Sequence, residues 1–253
     1  MASKKTVDKI LAIIEQAKRN SQLGNSAHFG VFARTVLQSI FDNSEQTSSH
    51  KDLHNVLVWA WKTTETRKKD TSIGFFDNEP QDANNHDDVS TYLVINMRDL
   101  PFVVDTARIR IKSVSIPIKQ IYNAADLKIE RDQYGRIIPF CSQNEHGNRE
   151  LISVFKLCRI TQDQKDELRF SLNEVLDDVH QAVDDWKKMQ DLLLEVVETW
   201  AYVKKSPAKQ KQMDELYQYM QWLHSYFTFL GARCYSVIQH DGDEKRLKMD
   251  KSN

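Results

Sequence analysis

Apolar positions recur most regularly between Thr161 and Trp200. Leu168, Leu172, Val175, Val179, Ala182, Trp186, Met189, Leu193, Val196 and Trp200 follow one another in alternate steps of four and three. That rhythm holds one apolar stripe on one side of a helix through many turns. Asp163, Lys165, Asp166, Asp177, Asp184, Lys187 and Asp191 fall on the opposite, solvated side. A stripe of this length needs a cover. Ser206-Pro207 has the order of an N-cap and a first helical residue. Met213, Leu216, Met220, Leu223 and Phe227 then repeat a three–four spacing. The pattern predicts an antiparallel helical hairpin over 161–226, turning at Lys204 to Pro207.

Residues 1–66 read as an N-terminal helical segment. Val7, Ile10, Ile14 and Ala17 stripe a first short helix, Phe29, Phe32, Val36 and Ile40 a second, and Leu53, Leu57 and Ala60 a third. Ser26 can cap the second, and Ser49-x-x-Asp52 has the form of a capping box for the third. Such narrow stripes suit a small bundle or a pad packed on a larger body. Over 67–89 the periodicity disappears, and Asp, Asn, Lys and Thr surround Gly74 and Pro80. That stretch reads as a linker, pinned at most by Ile73, Phe75 and Phe76.

From residue 90 the period becomes two. Thr91 to Met97 reads as a buried strand. Asp99 can cap a helix that carries Leu100, Val104, Ala107, Ile111 and Val114 on one side. Ile116 to Tyr122 and Leu127 to Arg131 are strand-like, and Asp132-Gln133-Tyr134-Gly135 is a turn because glycine takes backbone angles that other residues resist. Arg136 to Phe140 continues that hairpin, and Leu151 to Ile160 alternates as another strand. Phe227 to Val237 reads as one more, either closing the same sheet or opening a further domain with the polar tail 239–253. The order β-α-β-β-α-(α)-β over 90–238 is that of a ferredoxin-like sandwich. The expected fold is α+β: an antiparallel sheet with helices on one face, a small helical bundle before it and the long hairpin within it.

Charge narrows the function classes. The chain of 253 residues balances 35 basic against 36 acidic residues, without the basic excess of a general nucleic-acid binder. Cys141, Cys158 and Cys234 are scattered and odd in number, which suggests neither a zinc site nor a disulfide framework and fits a reducing, cytoplasmic setting. No stretch reaches the ~18 apolar residues of a membrane span. The seven glycines form no Gly-x-Gly-x-x-Gly after any strand and no phosphate loop, so no usual dinucleotide fold can be placed here. His50 and His54 lack a third metal ligand, and His180 and His224 read as satisfied residues at the edge of a core. Asp177-Asp178 and Asp184-Asp185 point in different directions on a helix and are solvated charge.

One constellation could bind a ligand. Arg98, Asp99, Asp105 and Thr106 flank the turn between the first predicted strand and its helix. Free amides at a helix start attract anions, and Arg98 lies beside them, so the turn could hold a carboxylate. The plainer alternative makes Asp99 a cap and Asp105 a surface charge.

Asp99-Leu100-Pro101-Phe102-Val103-Val104-Asp105-Thr106 resembles the D-M-P-F-L-V-D-S signature near the N-terminus of the large NAD-specific glutamate dehydrogenases. Glu130 to Arg136, Ala182 to Met189, and Trp222-Leu223 through Phe227 to Gly231 and Tyr235 agree with the same family in the same order. The chain departs from it at Ile116-Pro117-Ile118, and at Ala232-Arg233-Cys234 where the family tends to have Tyr-Arg-Glu. The resemblance implies an ACT-like segment ahead of a catalytic domain located outside these residues. It implies the reaction of the parent enzyme, oxidative deamination of glutamate to 2-oxoglutarate with NAD, with no catalytic residue and no cofactor site carried by this chain. The implied partners are the catalytic domain of the same polypeptide, further copies in a homo-oligomer, and an amino-acid effector.

Two other roles compete with that reading. One is a stand-alone ACT-type amino-acid-binding or protein-interaction module. The other uses the long hairpin as a docking arm, in which case the stripe around Trp186 faces a partner rather than a core.

Overall fold

A computed structural model describes residues 12–15, 29–43, 49–78, 89–138, 148–201, 207–229, 231–233, 235–239 and 245–249. The chain forms two compact units, residues 1–177 and 178–253. The division falls inside the long helix.

The first unit is built on one antiparallel sheet of four strands, β1 (Thr71–Asn78), β2 (Ser90–Arg98), β3 (Ile118–Ile129) and β4 (Asn148–Cys158), in the order β1-β2-β4-β3. The pleat assigns its faces. Tyr92, Val94, Tyr122, Ala124, Ile152 and Val154 point to one side and join a core with Phe29, Phe32, Val36, Leu37, Leu53, Leu57 and Trp61. Those last residues belong to helices α1 (Phe29–Asn43) and α2 (His50–Thr64). Leu93, Ile95, Met97, Phe155 and Leu157 alternate to the other side and are equally buried. That face is covered by α3 (Val103–Ser113), through Val103, Ala107 and Ile111, and by the start of α4 (Gln162–Ala201), through Leu168, Leu172 and Leu176. Both faces are therefore lined by helices, and the N-terminal helices form a layer of the fold rather than a separate bundle.

The expected α+β, ACT-like arrangement is present, with one exchange of parts. β2, α3 and β3 form a split β-α-β unit with β4 inserted between its strands. The fourth position, beside β2, is filled by β1, in register from Thr71↔Met97 to Asn78↔Ser90. Residues 71–78, expected as linker, are thus the edge strand. The described residues of the stretch read as a strand over 227–237 do not join this sheet. Among them Tyr235–Val237 open β5 (Tyr235–Gln239), which pairs with Lys245–Met249 (β6) in a separate hairpin.

Local chemistry explains the elements. Ser49 caps α2, with Asp52 N–H donating to Ser49 Oγ at 3.0 Å and the Ser49 hydroxyl donating to Asp52 Oδ2 at 2.9 Å. Helix α4 starts on a box of its own: Thr161 N–H donates to Gln164 Oε1 and Gln164 N–H to Thr161 Oγ1. β3 is a single strand with irregularities at 118/120 and 124/127. Its bulge is held by Ser39, whose Oγ donates to the Ala125 carbonyl and accepts the Ala125 N–H. Gly74 lets α2 approach β1, since a Cβ there would lie 2.4 Å from Thr63 Oγ1. Lys165, expected in solvent, is buried against Asp77. Helix α4 also reaches the outer side of β1, where the Arg169 guanidinium donates to the Ile73 carbonyl and lies over the Phe75 ring.

The second unit contains the end of α4, α5 (Pro207–Tyr226) and the β5–β6 hairpin. Gln190 Nε2 donates to the His224 carbonyl at 3.3 Å, which sets α5 beside α4 as the hairpin pattern predicts. Trp186, expected inside the stripe, is 46% exposed. His180 and His224, expected to be satisfied, each bury Nε2 without a hydrogen-bond partner. Val7, Ile10, Ala17, Ser26, Pro139, Phe140 and the hairpin turn up to Ser206 lie outside the described residues.

Candidate functional site

The most concentrated chemistry lies where the sheet meets the end of α2. Glu150 and Asn96 are on the β4 and β2 surfaces that face α1 and α2, and both are fully buried. Glu150 takes four hydrogen bonds from three residues: Arg67 Nη2 at 2.8 Å, Arg131 Nε at 2.7 Å and Nη2 at 2.8 Å, and Asn96 Nδ2 at 2.8 Å. Arg131 also donates from Nη1 to the carbonyls of Thr64, at the end of α2, and Gly135. A buried carboxylate keeps its charge only when paired and hydrogen-bonded. Here both oxygens are saturated. Burial pushes the Arg67 guanidinium below its usual range and Glu150 pulls it back.

Residues 131–136 deliver Arg131 to this point. Asp132 Oδ1 accepts the N–H groups of Tyr134 and Arg136, and Oδ2 accepts Arg136 Nε. These bonds, with the Arg136 backbone bond the largest, hold the Asp132 carboxyl below its ordinary value. Gly135 then takes φ +79°, and its carbonyl accepts both Arg67 N–H and Arg131 Nη1. A Cβ on Gly135 would lie 2.0 Å from the Arg67 carbonyl oxygen, so no other residue fits without moving that backbone.

Two further charged clusters tie helices to the sheet. Asp52 of α2 accepts Lys156 Nζ at 2.7 Å and the Tyr92 hydroxyl at 2.5 Å. Burial alone would raise the Asp52 carboxyl, but hydrogen bonds from Lys156, Tyr92 and Ser49 outweigh it and hold the group low. Burial and Asp52 together push the Tyr92 hydroxyl far above the usual phenol range. Asp77 of β1 likewise meets Lys165, Thr91 Oγ1 at 2.8 Å and Arg159 at 3.2 Å, and these overcome burial to hold it low. Each cluster joins residues far apart in sequence. Arrangements of this kind fix elements in place; an acid–base catalyst needs a lone pair or proton free at a reacting atom.

The sequence-predicted turn is organised differently from expectation. Asp99 does not cap α3. Its Oδ2 accepts the Asp126 N–H at 2.7 Å, where Asp126 adopts φ +55° in the β3 bulge, and its own N–H donates to the Arg149 carbonyl. The N-cap position falls to Phe102, at φ +71° and without a side-chain cap. Asp105 pairs with Arg108 at 3.6 Å on the exposed side of α3, and Thr106 N–H makes the first helical bond, to the Phe102 carbonyl. Arg98 is exposed at the end of β2. The centre at Glu150 is absent from the sequence reading, although Arg131 lies within one of the family-like stretches and Asn96 interrupts an apolar run. Those were its two available signals.

Fold and centre together define an ACT-like α+β module whose buried charges serve as ties between layers. The family model for the glutamate dehydrogenase ACT1 domain matches residues 32–172, and the chain belongs to that family. The match takes in most of α1, all of α2 and β1, and the split β-α-β unit. Over 167 residues the chain is 26% identical to the NAD-specific glutamate dehydrogenase of Halomonas elongata, covering 64% of this chain and 10% of that protein. Over 207 residues it is 25% identical to the enzyme of the same description from Pseudomonas aeruginosa, covering 80% of this chain and 13% of that protein. The chain therefore spans only about a tenth of the length of these relatives. Among the described residues no helix is long and apolar enough to cross a membrane.

Proposed function

We propose that this chain is the N-terminal regulatory and assembly portion of a cytoplasmic NAD-dependent glutamate dehydrogenase. Glutamate, NAD and water are converted to 2-oxoglutarate, ammonia and NADH in a catalytic domain of the same longer polypeptide, which also holds the NAD. The supporting observations are the family match over residues 32–172 and the similarity to glutamate dehydrogenases many times longer than this chain. The Glu150 centre supports this reading in physical terms. A sheet locked on both faces transmits a displacement at one layer to the others, because packed interiors yield in discrete steps rather than continuously.

The experiment introduces Glu150→Ala into the longer dehydrogenase. The expected outcome is a changed response to amino-acid effectors or a changed subunit assembly, with KM for NAD retained. A variant with unaltered regulation and assembly, despite a measurably loosened ACT-like unit, would remove the proposal.

A second reading, amino-acid binding at the turn Arg98–Thr106, draws on one feature. The first amides of α3 have no side-chain cap, and such amides attract carboxylates. The Asp105 carboxylate in the same helical turn opposes it. Calorimetric titration of the common L-amino acids into the chain decides. Saturable heat that is lost in Arg98→Ala supports the site, and no heat with any of them eliminates it.

A further inference from the structure

The Asp52 and Asp77 clusters meet on one short stretch of the sheet. Asp77 of β1 lies opposite Thr91 of β2, and Thr91 opposite Leu157 of β4. One residue along, Phe76 lies opposite Tyr92, and Tyr92 opposite Lys156. Successive side chains of a strand point to opposite faces. Phe76, Tyr92 and Lys156 therefore face α2, while Asp77 and Thr91 face the start of α4.

On the α2 face, Asp52 accepts the Tyr92 hydroxyl at 2.5 Å and Lys156 Nζ at 2.7 Å. The Trp59 ring stacks on Phe76, with centroids 5.6 Å apart and 6° between the planes. On the α4 face, Asp77 accepts Thr91 Oγ1 at 2.8 Å and Lys165 Nζ at 2.5 Å. The Thr91 hydroxyl is used twice, since it also accepts the N–H of Ile160, just ahead of α4, at 3.3 Å. Thr91 and Tyr92 are both fully buried, so water replaces none of these bonds if they part.

Any strand divides its side chains between two faces; here the division carries directional bonds. In Phe76-Asp77 and again in Thr91-Tyr92, one residue holds α2 and its neighbour holds the root of α4. Apolar burial is non-directional, whereas hydrogen bonds to charged groups weaken steeply with angle and distance. A tilt of Tyr92 turns the peptide it shares with Thr91, and the Thr91 hydroxyl then loses its alignment with Asp77 and Ile160 together. Helix α4 runs on from the first unit into the second, so its root is the point at which a change in α2 leaves the sheet.

We propose that Tyr92 and Thr91 form a relay across the sheet, through which release of the Asp52 tie on α2 frees the root of α4 over residues 162–172. The coupling is a property of this chain, and its use in controlling a dehydrogenase rests on the regulatory role proposed above.

Amide hydrogen exchange in the full 253-residue chain tests it. Tyr92→Phe deletes one hydroxyl and keeps the ring. It should speed exchange of the α4 amides from Asp166 to Leu172 about tenfold, within the range that neighbours in one network carry. Helix α3 packs on the same face but enters neither cluster, and its amides from Ala107 to Ile111 should change by less than about threefold. Lys156→Met weakens the Asp52 tie from β4 and should act in the same direction. Coupling is reciprocal, so Lys165→Met should speed exchange in α2 from Val56 to Ala60. With Lys165→Met present, adding Tyr92→Phe should accelerate α4 by less than about threefold, because the far end of the relay is already cut. Unchanged α4 exchange in both Tyr92→Phe and Lys156→Met overturns the proposal. So does equal acceleration of α3 and α4, which is general loosening, or the same factor for Tyr92→Phe with and without Lys165→Met. No NAD, glutamate or effector enters the measurement. Its failure therefore leaves the regulatory reading to the Glu150→Ala experiment, and failure of that experiment leaves the relay standing.

Discussion

Replacing Glu150 by glutamine removes one charge and almost no volume, and it should loosen the whole four-stranded unit. In the native centre Glu150 only accepts, from four donor atoms on Arg67, Arg131 and Asn96. A glutamine amide keeps one accepting oxygen and turns its other end into a donor facing donors. Arg67 and Arg131 are each only 12% exposed in their side chains, so water cannot replace what is lost. Breaking a buried pair by removing one partner costs about 3–5 kcal/mol. Amide hydrogen exchange at the centres of β2 and β4 reads that loss as global opening. The expected change is exchange roughly 150- to 4,000-fold faster, at tenfold per 1.4 kcal/mol. Arg149→Ala is the control. Its ion pair to Asp126 is exposed at both ends, and its removal should cost under about 1 kcal/mol. Acceleration below tenfold in Glu150→Gln would refute the reasoning, because the centre would then behave as a surface pair.

Acid should act through Asp52 and Asp77. Their folded pKa values lie below the ordinary 3.8, so their stabilisation is present above that value and lost as pH falls through the folded ones. Urea midpoints should hold steady from pH 7 to about 5 and decline below about 4, and Asp52→Asn with Lys156→Met should flatten part of that decline. Gly135→Ala should destabilise by more than about 1 kcal/mol, since its φ is +79° and the added carbon meets the Arg67 carbonyl, whereas Gly231→Ala, with nothing within 4 Å, should be near neutral in chemical denaturation. Leu172→Ala, fully buried in α4, should cost about 2–5 kcal/mol, and Trp186→Ala, half exposed, should cost clearly less in the same assay.

Periodicity makes most of the helices and the buried strands legible in the sequence. Strand β2 is regular enough for its sides to be read from spacing alone, and so is the start of α4 at Leu168, Leu172 and Val179; elsewhere on α4 the spacing misplaces Lys165, which is buried, and Trp186, which is half exposed. Strand β1 was hidden because Thr71-Ser72-Ile73-Gly74-Phe75-Phe76-Asp77-Asn78 mixes turn-forming residues with aromatics. Its identity comes from pairing with β2, a contact that no local pattern encodes. The same holds for the end of the sheet. Tyr235 to Gln239 reads as a strand, but spacing does not name its partner, and the position beside β2 was filled from the N-terminal side instead. The Glu150 centre escaped for a related reason. Charged residues in isolation read as solvent-facing, and only the register of β4 on β2 brings Glu150 beside Asn96 while the Gly135 turn brings in Arg131. Asp99 illustrates the reverse error: a good capping residue by type, it was recruited by the β3 bulge, and Phe102 took the capping position.

The proposed function places catalysis in polypeptide outside these residues. The direct measurement is NADH formation, followed by its absorbance, when the purified 253-residue chain is mixed with NAD and glutamate. The account predicts no rate above the protein-free background. Glutamate-dependent NADH production by this chain alone would contradict it.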